Sequence, residues 1–239
     1  AYAPDLKAGD INEVRRLIEK YEMPVLGYTP EHNAYPYNYM IGSEAQRRDA
    51  IDYLKLSLEM AKEMGAEFVL TSPANGGYLA TYDQLWSRLE KNIQELGDYA
   101  AKLEIKLVVE ALTPYESNFF TRANDLVELF RRVDNPYVVG MCDIVPPFVQ
   151  HESIMAYFDK LGNKMDHMHI IDGENGSDTH LIPGEGNIPI KEMLYEMKRI
   201  GYDKTATLEL VTNYINEPRF YAKRAIDNMR ELMAEAGIV

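Results

Sequence analysis

Four polar residues, Glu110, Asp143, His169 and Glu209, each stand at or near the end of an otherwise apolar run. The runs are Lys106–Glu110 (KLVVE), Val138–Asp143 (VVGMCD), His167–Ile171 (HMHII) and Thr205–Leu210 (TATLEL). An unpaired ion in such a run costs several kcal/mol to bury, so each needs a partner. Three carboxylates and one imidazole form an oxygen-rich ligand set of intermediate hardness for one divalent metal ion. Mn²⁺ suits it best, with Co²⁺, Ni²⁺, Fe²⁺, Mg²⁺ and Zn²⁺ as alternatives. Taken singly, each residue has a plainer reading. Glu110 or Glu209 could pair with a rim cation, Asp143 could cap a turn, and His169 could be a core histidine. His167 shares a strand face with His169, so spacing alone leaves open which of the two binds. The four in succession, at the same end of four consecutive units, are the stronger signal.

Those runs belong to a regular alternation of strand and helix. A helix is predicted from a capping box at Asp10 and Glu13, with Val14, Leu17, Ile18 and Tyr21 at helical spacing. Strand Pro24–Gly27, a helix from Ser43 closed by Gly65, strand Phe68–Thr71 and a helix from Thr81 follow. The four site-bearing strands then alternate with helices near Ala123–Val133, Ser153–Leu161, Ile190–Ile200 and Pro218–Ala234. In a parallel α/β barrel every strand opens its C-terminal end on one face, so residues 26 to 40 positions apart can meet there. The expected fold is therefore α/β, a (β/α)8 TIM barrel spanning residues 1–239 as a single domain. Six strands are counted where closure needs eight, so the first two strands and first helix are expected to lie outside this sequence.

The 239 residues carry 38 acidic and 25 basic side chains, a net charge of −13, which disfavours nucleic acid and anionic membranes as partners. The single cysteine, Cys142, rules out an internal disulfide and fits a cytoplasmic address. It reads as a buried residue rather than a nucleophile. Tyr28, Tyr35, Tyr37 and Tyr39 could form a sugar-stacking wall, or pack on their own barrel or a second subunit. Pro183–Pro189 (PGEGNIP) reads as a glycine-hinged loop beside the site, without the lysine of a phosphate loop.

The segments VVEALTPYES, MCDIVPP, DHMHIID, DTHLIPGEGNIPI and ATLELVTNYINEPRFYA, with APDLKAG and GYTPE, resemble the sugar phosphate isomerase/epimerase family with the xylose-isomerase-like barrel. The resemblance runs from Ala1 to Met233 and implies a divalent metal held by Glu110, Asp143, His169 and Glu209, choosing His169 over His167. It also implies Glu110 and Glu209 as the acid/base pair, with Glu116 and His180 touching substrate. Family members that epimerise ketoses at C3 carry a histidine where Pro146 stands and an arginine where His180 stands. These departures speak against a plain ketohexose, and the resemblance implies a ketosamine, fructoselysine in particular, with Glu116 and Glu185 as acidic partners for its ammonium groups. A homo-oligomer acting on a sugar or sugar-amine is expected. Aldose–ketose isomerisation, hydroxypyruvate isomerisation and inosose dehydration are alternatives on the same scaffold. An abasic-site endonuclease fits poorly with five histidines and an acidic surface.

Overall fold

The computed structural model describes residues 2–238, apart from the side chain of Thr212. Six strands form one parallel sheet in chain order: β1 (Gly27–Tyr28), β2 (Phe68–Thr71), β3 (Lys106–Val109), β4 (Val138–Asp143), β5 (Met165–Ile170) and β6 (Thr205–Leu208). The longer helices are α1 (Ile11–Tyr21), α2 (Glu44–Met64), α3 (Tyr82–Leu103), α4 (Ala123–Arg132), α5 (Met155–Leu161), α6 (Ile190–Ile200) and α7 (Pro218–Glu235), with short turns of helix at Ala3–Asp5 and Val145–Val149. Parallel neighbours require crossovers, and each is helical, giving a TIM-barrel-like arc with β1 and β6 at its edges.

Local chemistry starts the helices where the sequence places them. Ser43 accepts from the Gln46 N–H while the Gln46 side chain accepts from the Ser43 N–H, and Thr81 and Gln84 repeat this exchange at α3. Gly65 ends α2 in the left-handed conformation that a Cβ would disfavour. The expected capping box at Asp10 is not formed: Asp10 makes no side-chain cap bond, and Glu13 instead receives Arg16. Helical backbone already begins at Ala3 and continues into Leu6, because both are buried in the core and hold that lead-in down, and a kink at Gly9, with φ of 149°, separates it from α1. The first strand also lies later than expected, since pairing starts at Gly27 opposite Phe68.

Alternation along the strands separates two apolar cores. One lies between sheet and helices and includes Leu54, Leu58, Leu89, Ile93, Leu107 and Val109. The other fills the concave face of the arc with Phe68, Leu70, Val108, Val139 and Met141. Continuing the same period of two toward the strand ends brings Glu110, Asp143, His169 and Glu209 to the inner face.

α3 lies directly on β4 because Gly97 has no side chain. A Cβ there would sit 2.5 Å from Val138 Cγ2 and 3.2 Å from Asn135 Nδ2, both in buried residues. Gly97→Ala gains about 1 kcal/mol of helix propensity, but overpacking a fixed contact costs roughly 1–3 kcal/mol. A net loss of about 1 kcal/mol is expected, read as a lower urea midpoint. An unchanged or raised midpoint would contradict the close approach.

Candidate active site and metal centre

Each of the four strand-end residues reaches the cluster by a distinct route. The β2–β3 ladder continues one step past β3, where the Glu110 N–H donates to the Thr71 carbonyl at 3.0 Å. β4 and β5 slip by one residue after Gly140, so Met141 faces His167 and Asp143 faces His169. Without that slip Asp143 would pair with Met168, and His169 would be out of step with it. Glu209 follows the last residue of β6. Glu110, Asp143 and His169 are buried, whereas the Glu209 side chain retains 34% exposure.

His169 Nδ1 lies 3.5 Å from Glu110 Oε1 and 3.3 Å from Glu209 Oε2. It is fully buried and makes no hydrogen bond among the described residues. His180 enters from the loop after β5, with Nε2 3.1 Å from Glu209 Oε2 and 3.7 Å from Asp143 Oδ2. Its Nδ1 lies 3.0 Å from Asp178 Oδ1. Ligand-capable atoms of Glu110, Asp143 and His169, and likewise of Asp143, His180 and Glu209, lie within 4.8 Å of one another. This buried acidic and imidazole group could hold a metal ion.

Electrostatics says the same thing without the ion. Burial opposes protonation of His169, yet Glu110 and Glu209 outweigh it and raise its pKa well above the ordinary value. Burial likewise opposes a charge on His180, but Asp143, Asp178 and Glu209 push it up to about 12. Burial would raise Glu209, and the two imidazoles instead pull it far below the carboxylate range. Asp143 is pushed up to about 7, first by burial, against the lowering effect of the nearby His180 imidazole, and then by Glu209 and Glu110. Carboxylates crowded this closely demand positive charge, and here protonated imidazoles supply what a cation would otherwise provide.

The structure also separates the two candidate histidines. His167 Nδ1 lies 2.7 Å from Thr205 Oγ1 and its Nε2 lies 3.0 Å from Thr207 Oγ1, so both ring nitrogens are occupied. Burial, with His169 alongside, lowers its pKa to about 3. It is a neutral core histidine. Because the unfolded value is about 6.5, His167 contributes stability above that pH that is lost as pH falls from about 6.5 to about 3. His167→Gln should therefore flatten the fall of the urea midpoint across this window. Parallel wild-type and variant curves would contradict a buried neutral ring.

Other expectations resolve individually. Glu116 accepts from the Thr113 N–H at 3.2 Å and the Thr113 hydroxyl at 2.8 Å, and that hydroxyl also lies 3.1 Å from Asp178 Oδ2. Glu116 thus borders the cluster through Thr113. Glu185 does not wait for an ammonium group, because it pairs with Arg224 of α7. The tyrosines do not share a wall: Tyr28 and Tyr39 are core, Tyr37 packs on Tyr2 and Tyr53, and Tyr35 is exposed. Cys142 is buried and its thiol pKa raised well up by burial, as befits a packing residue. Sequence reasoning passed over Asp178, whose only signal is its position two residues before His180.

Fold and cluster together define a class. Residues 1–232 match the model of the Xylose isomerase-like TIM barrel family, and the chain belongs to that family. It is 48% identical over 235 residues to Fructoselysine 3-epimerase of Shigella flexneri, spanning 98% of this chain and 85% of that protein. A D-tagatose 3-epimerase-like protein superposes with a TM-score of 0.78 at 21% identity, covering 95% of this chain and 84% of its own. IOLI protein, solved with a bound zinc atom, gives a TM-score of 0.75 at 18% identity, over 98% of this chain and 83% of its own. These two likenesses speak for the fold. Among the described residues no helix is long and apolar enough to cross a membrane.

Proposed function

We propose that this protein is a divalent-metal-dependent carbohydrate epimerase that inverts C3 of a ketose or ketosamine, with fructoselysine as substrate. One observation carries the reading: a buried, unbonded His169 Nδ1 lies between Glu110 and Glu209, which arrive from strands on either side of β4 and β5. The 48% identity to a fructoselysine 3-epimerase supports the substrate. Glu110, Asp143, His169 and Glu209 would hold the ion, and manganese suits three carboxylates with one imidazole. The ion would act as a Lewis acid toward substrate oxygens beside C3.

Inversion at C3 needs a proton taken from one face and another delivered to the opposite face, which one fixed base cannot do. Glu110 and Glu209 supply the two bases, one carboxylate abstracting while the other, protonated, donates, and they exchange roles with reaction direction. Their approach from β3 and β6 supports opposed placement. His180 and Glu116 would contact the substrate: the 3.1 Å contact of His180 with Glu209 and the bond of Glu116 with Thr113, beside the cluster, support these roles. We further propose a single barrel domain closed by strands between the open edges of β6 and β1, a homo-oligomer, and a cytoplasmic address. The charge of −13 supports small-molecule rather than nucleic-acid partners. Product analysis by NMR, on fructoselysine and free ketohexoses with added Mn²⁺, tests the reading. Inversion at C3 of the ketosamine is expected; movement of the carbonyl instead would assign the protein to aldose–ketose isomerisation.

A further inference from the structure

The loop between β5 and α6 is closed on one side chain. Asp172 is 1% exposed, and its carboxylate accepts from the backbone N–H groups of Gly173, Gly184, Gly186 and Ile188 at 2.9, 2.9, 3.0 and 2.9 Å. Its backbone pairs both ways with Leu181, each bond 2.7 Å, and the Asn187 N–H donates to the Gly173 carbonyl at 2.7 Å. Both arms of the excursion thus end on the same residue. The glycine-rich PGEGNIP segment is a strapped loop rather than a hinge: Gly184 supplies a positive φ of 87°, and Gly186 serves close approach. A Cβ on Gly186 would lie 2.4 Å from the Gly173 carbonyl oxygen and 2.5 Å from Asp172 Oδ1.

The strap has a consequence one residue away. His180 precedes Leu181, with φ of 45°, a left-handed conformation that a non-glycine residue keeps only when its surroundings impose it. The Leu181–Asp172 bridge is the constraint next to it. A buried carboxylate that gathers four N–H groups forms strong charge-assisted bonds and holds the loop in one conformation. We propose that Asp172 is a positioning residue for His180: by strapping both arms of the loop, it holds the imidazole against Asp143 and Glu209. Among the described residues Asp172 makes no hydrogen bond or ion pair with Glu110, Asp143, His169, His180 or Glu209; its partners are the loop's own backbone groups. The predicted effect on turnover rests on the epimerase reading, whereas the effect on His180 does not.

Two variants perturb the strap from opposite sides. Asp172→Asn replaces an acceptor oxygen by a donor amide that faces N–H groups, and Gly186→Ala leaves the carboxylate intact but pushes the loop away from it. Gly186→Ala also serves should Asp172→Asn fail to fold. The first readout is the His180 ring signals in NMR spectra of histidine-labelled, metal-free protein, assigned by their loss in His180→Asn. Folded variants should show displaced or broadened His180 signals with His32 unmoved, and a kcat for C3 inversion at least about tenfold lower with a smaller change in KM. A purely structural Asp172 would lower thermal stability while folded variant protein kept wild-type His180 signals and kcat, and that result would overturn the proposal. If wild-type protein proved inactive on ketosamines, the epimerase reading would fall, and the His180 signals would still decide the role of Asp172.

Discussion

Replacing Glu110 by glutamine is expected to lower the rate of C3 inversion by about 10²–10⁴-fold, the usual contribution of a positioned acid or base. Glu209→Gln should do the same, because loss of either base interrupts the transfer in both directions. The two losses should not add, since a pair that acts as a unit is already disabled by one substitution. The folds should survive. Glutamine keeps the shape, and removing one of several crowded carboxylates relieves repulsion around Asp143, whose pKa Glu209 and Glu110 both help to raise. Steady-state rates followed by NMR, with circular dichroism as a check on folding, provide the measurement. A folded Glu110→Gln or Glu209→Gln protein with more than about a tenth of wild-type turnover would remove that residue from the chemistry.

Removing the divalent ion should have the second largest effect. Chelated protein is expected to stay folded, because His169 and His180 take protons that neutralise Glu110, Asp143 and Glu209, but to lose activity that Mn²⁺ restores. Metal at about 100 times its Kd stabilises the folded state by about 2.7 kcal/mol, or roughly 5–10 °C in Tm for a chain of this length. His169→Ala should abolish most of that rise. The sign of the pH dependence follows from competition with protons. Asp143 releases its proton only near pH 7, and His169 holds its proton above the ordinary histidine range. Metal affinity should therefore climb as pH rises through about 7. Affinity that falls across that range, or an equal Tm rise in His169→Ala, would contradict binding at this cluster.

The parts of this site that the sequence made legible share a physical cause. Glu110, Asp143 and Glu209 stand out because a charged residue closing an apolar strand needs a partner, and alternation then fixes their face. Ser43 and Thr81 mark the starts of α2 and α3 in the sequence because N-capping is local, and the structure completes a capping box at each with Gln46 and Gln84. What escaped depends on contacts distant in sequence. His167 and His169 share a strand and a face, and what separates them is the pair of hydroxyls, Thr205 and Thr207, on the next strand. Asp178 and Asp172 lie in a loop without periodicity, so nothing local distinguishes the first as a neighbour of His180 or the second as a strap. The early helical lead-in escaped for a similar reason: its hold on the molecule is the burial of Ala3 and Leu6 in the core, and the kink at Gly9 sets it apart from the periodic segment of α1.

The two-base chemistry at C3 is tested most directly by isotope exchange. Wild-type protein, loaded with Mn²⁺ and incubated with fructoselysine in deuterated water, should place deuterium at C3 of the epimerised product with every inversion. Metal-free protein and Glu209→Gln should give neither inversion nor labelled product. Inversion at C3 without solvent deuterium, or at an undiminished rate after complete removal of the metal, would contradict proton abstraction and return by Glu110 and Glu209 beside a bound ion.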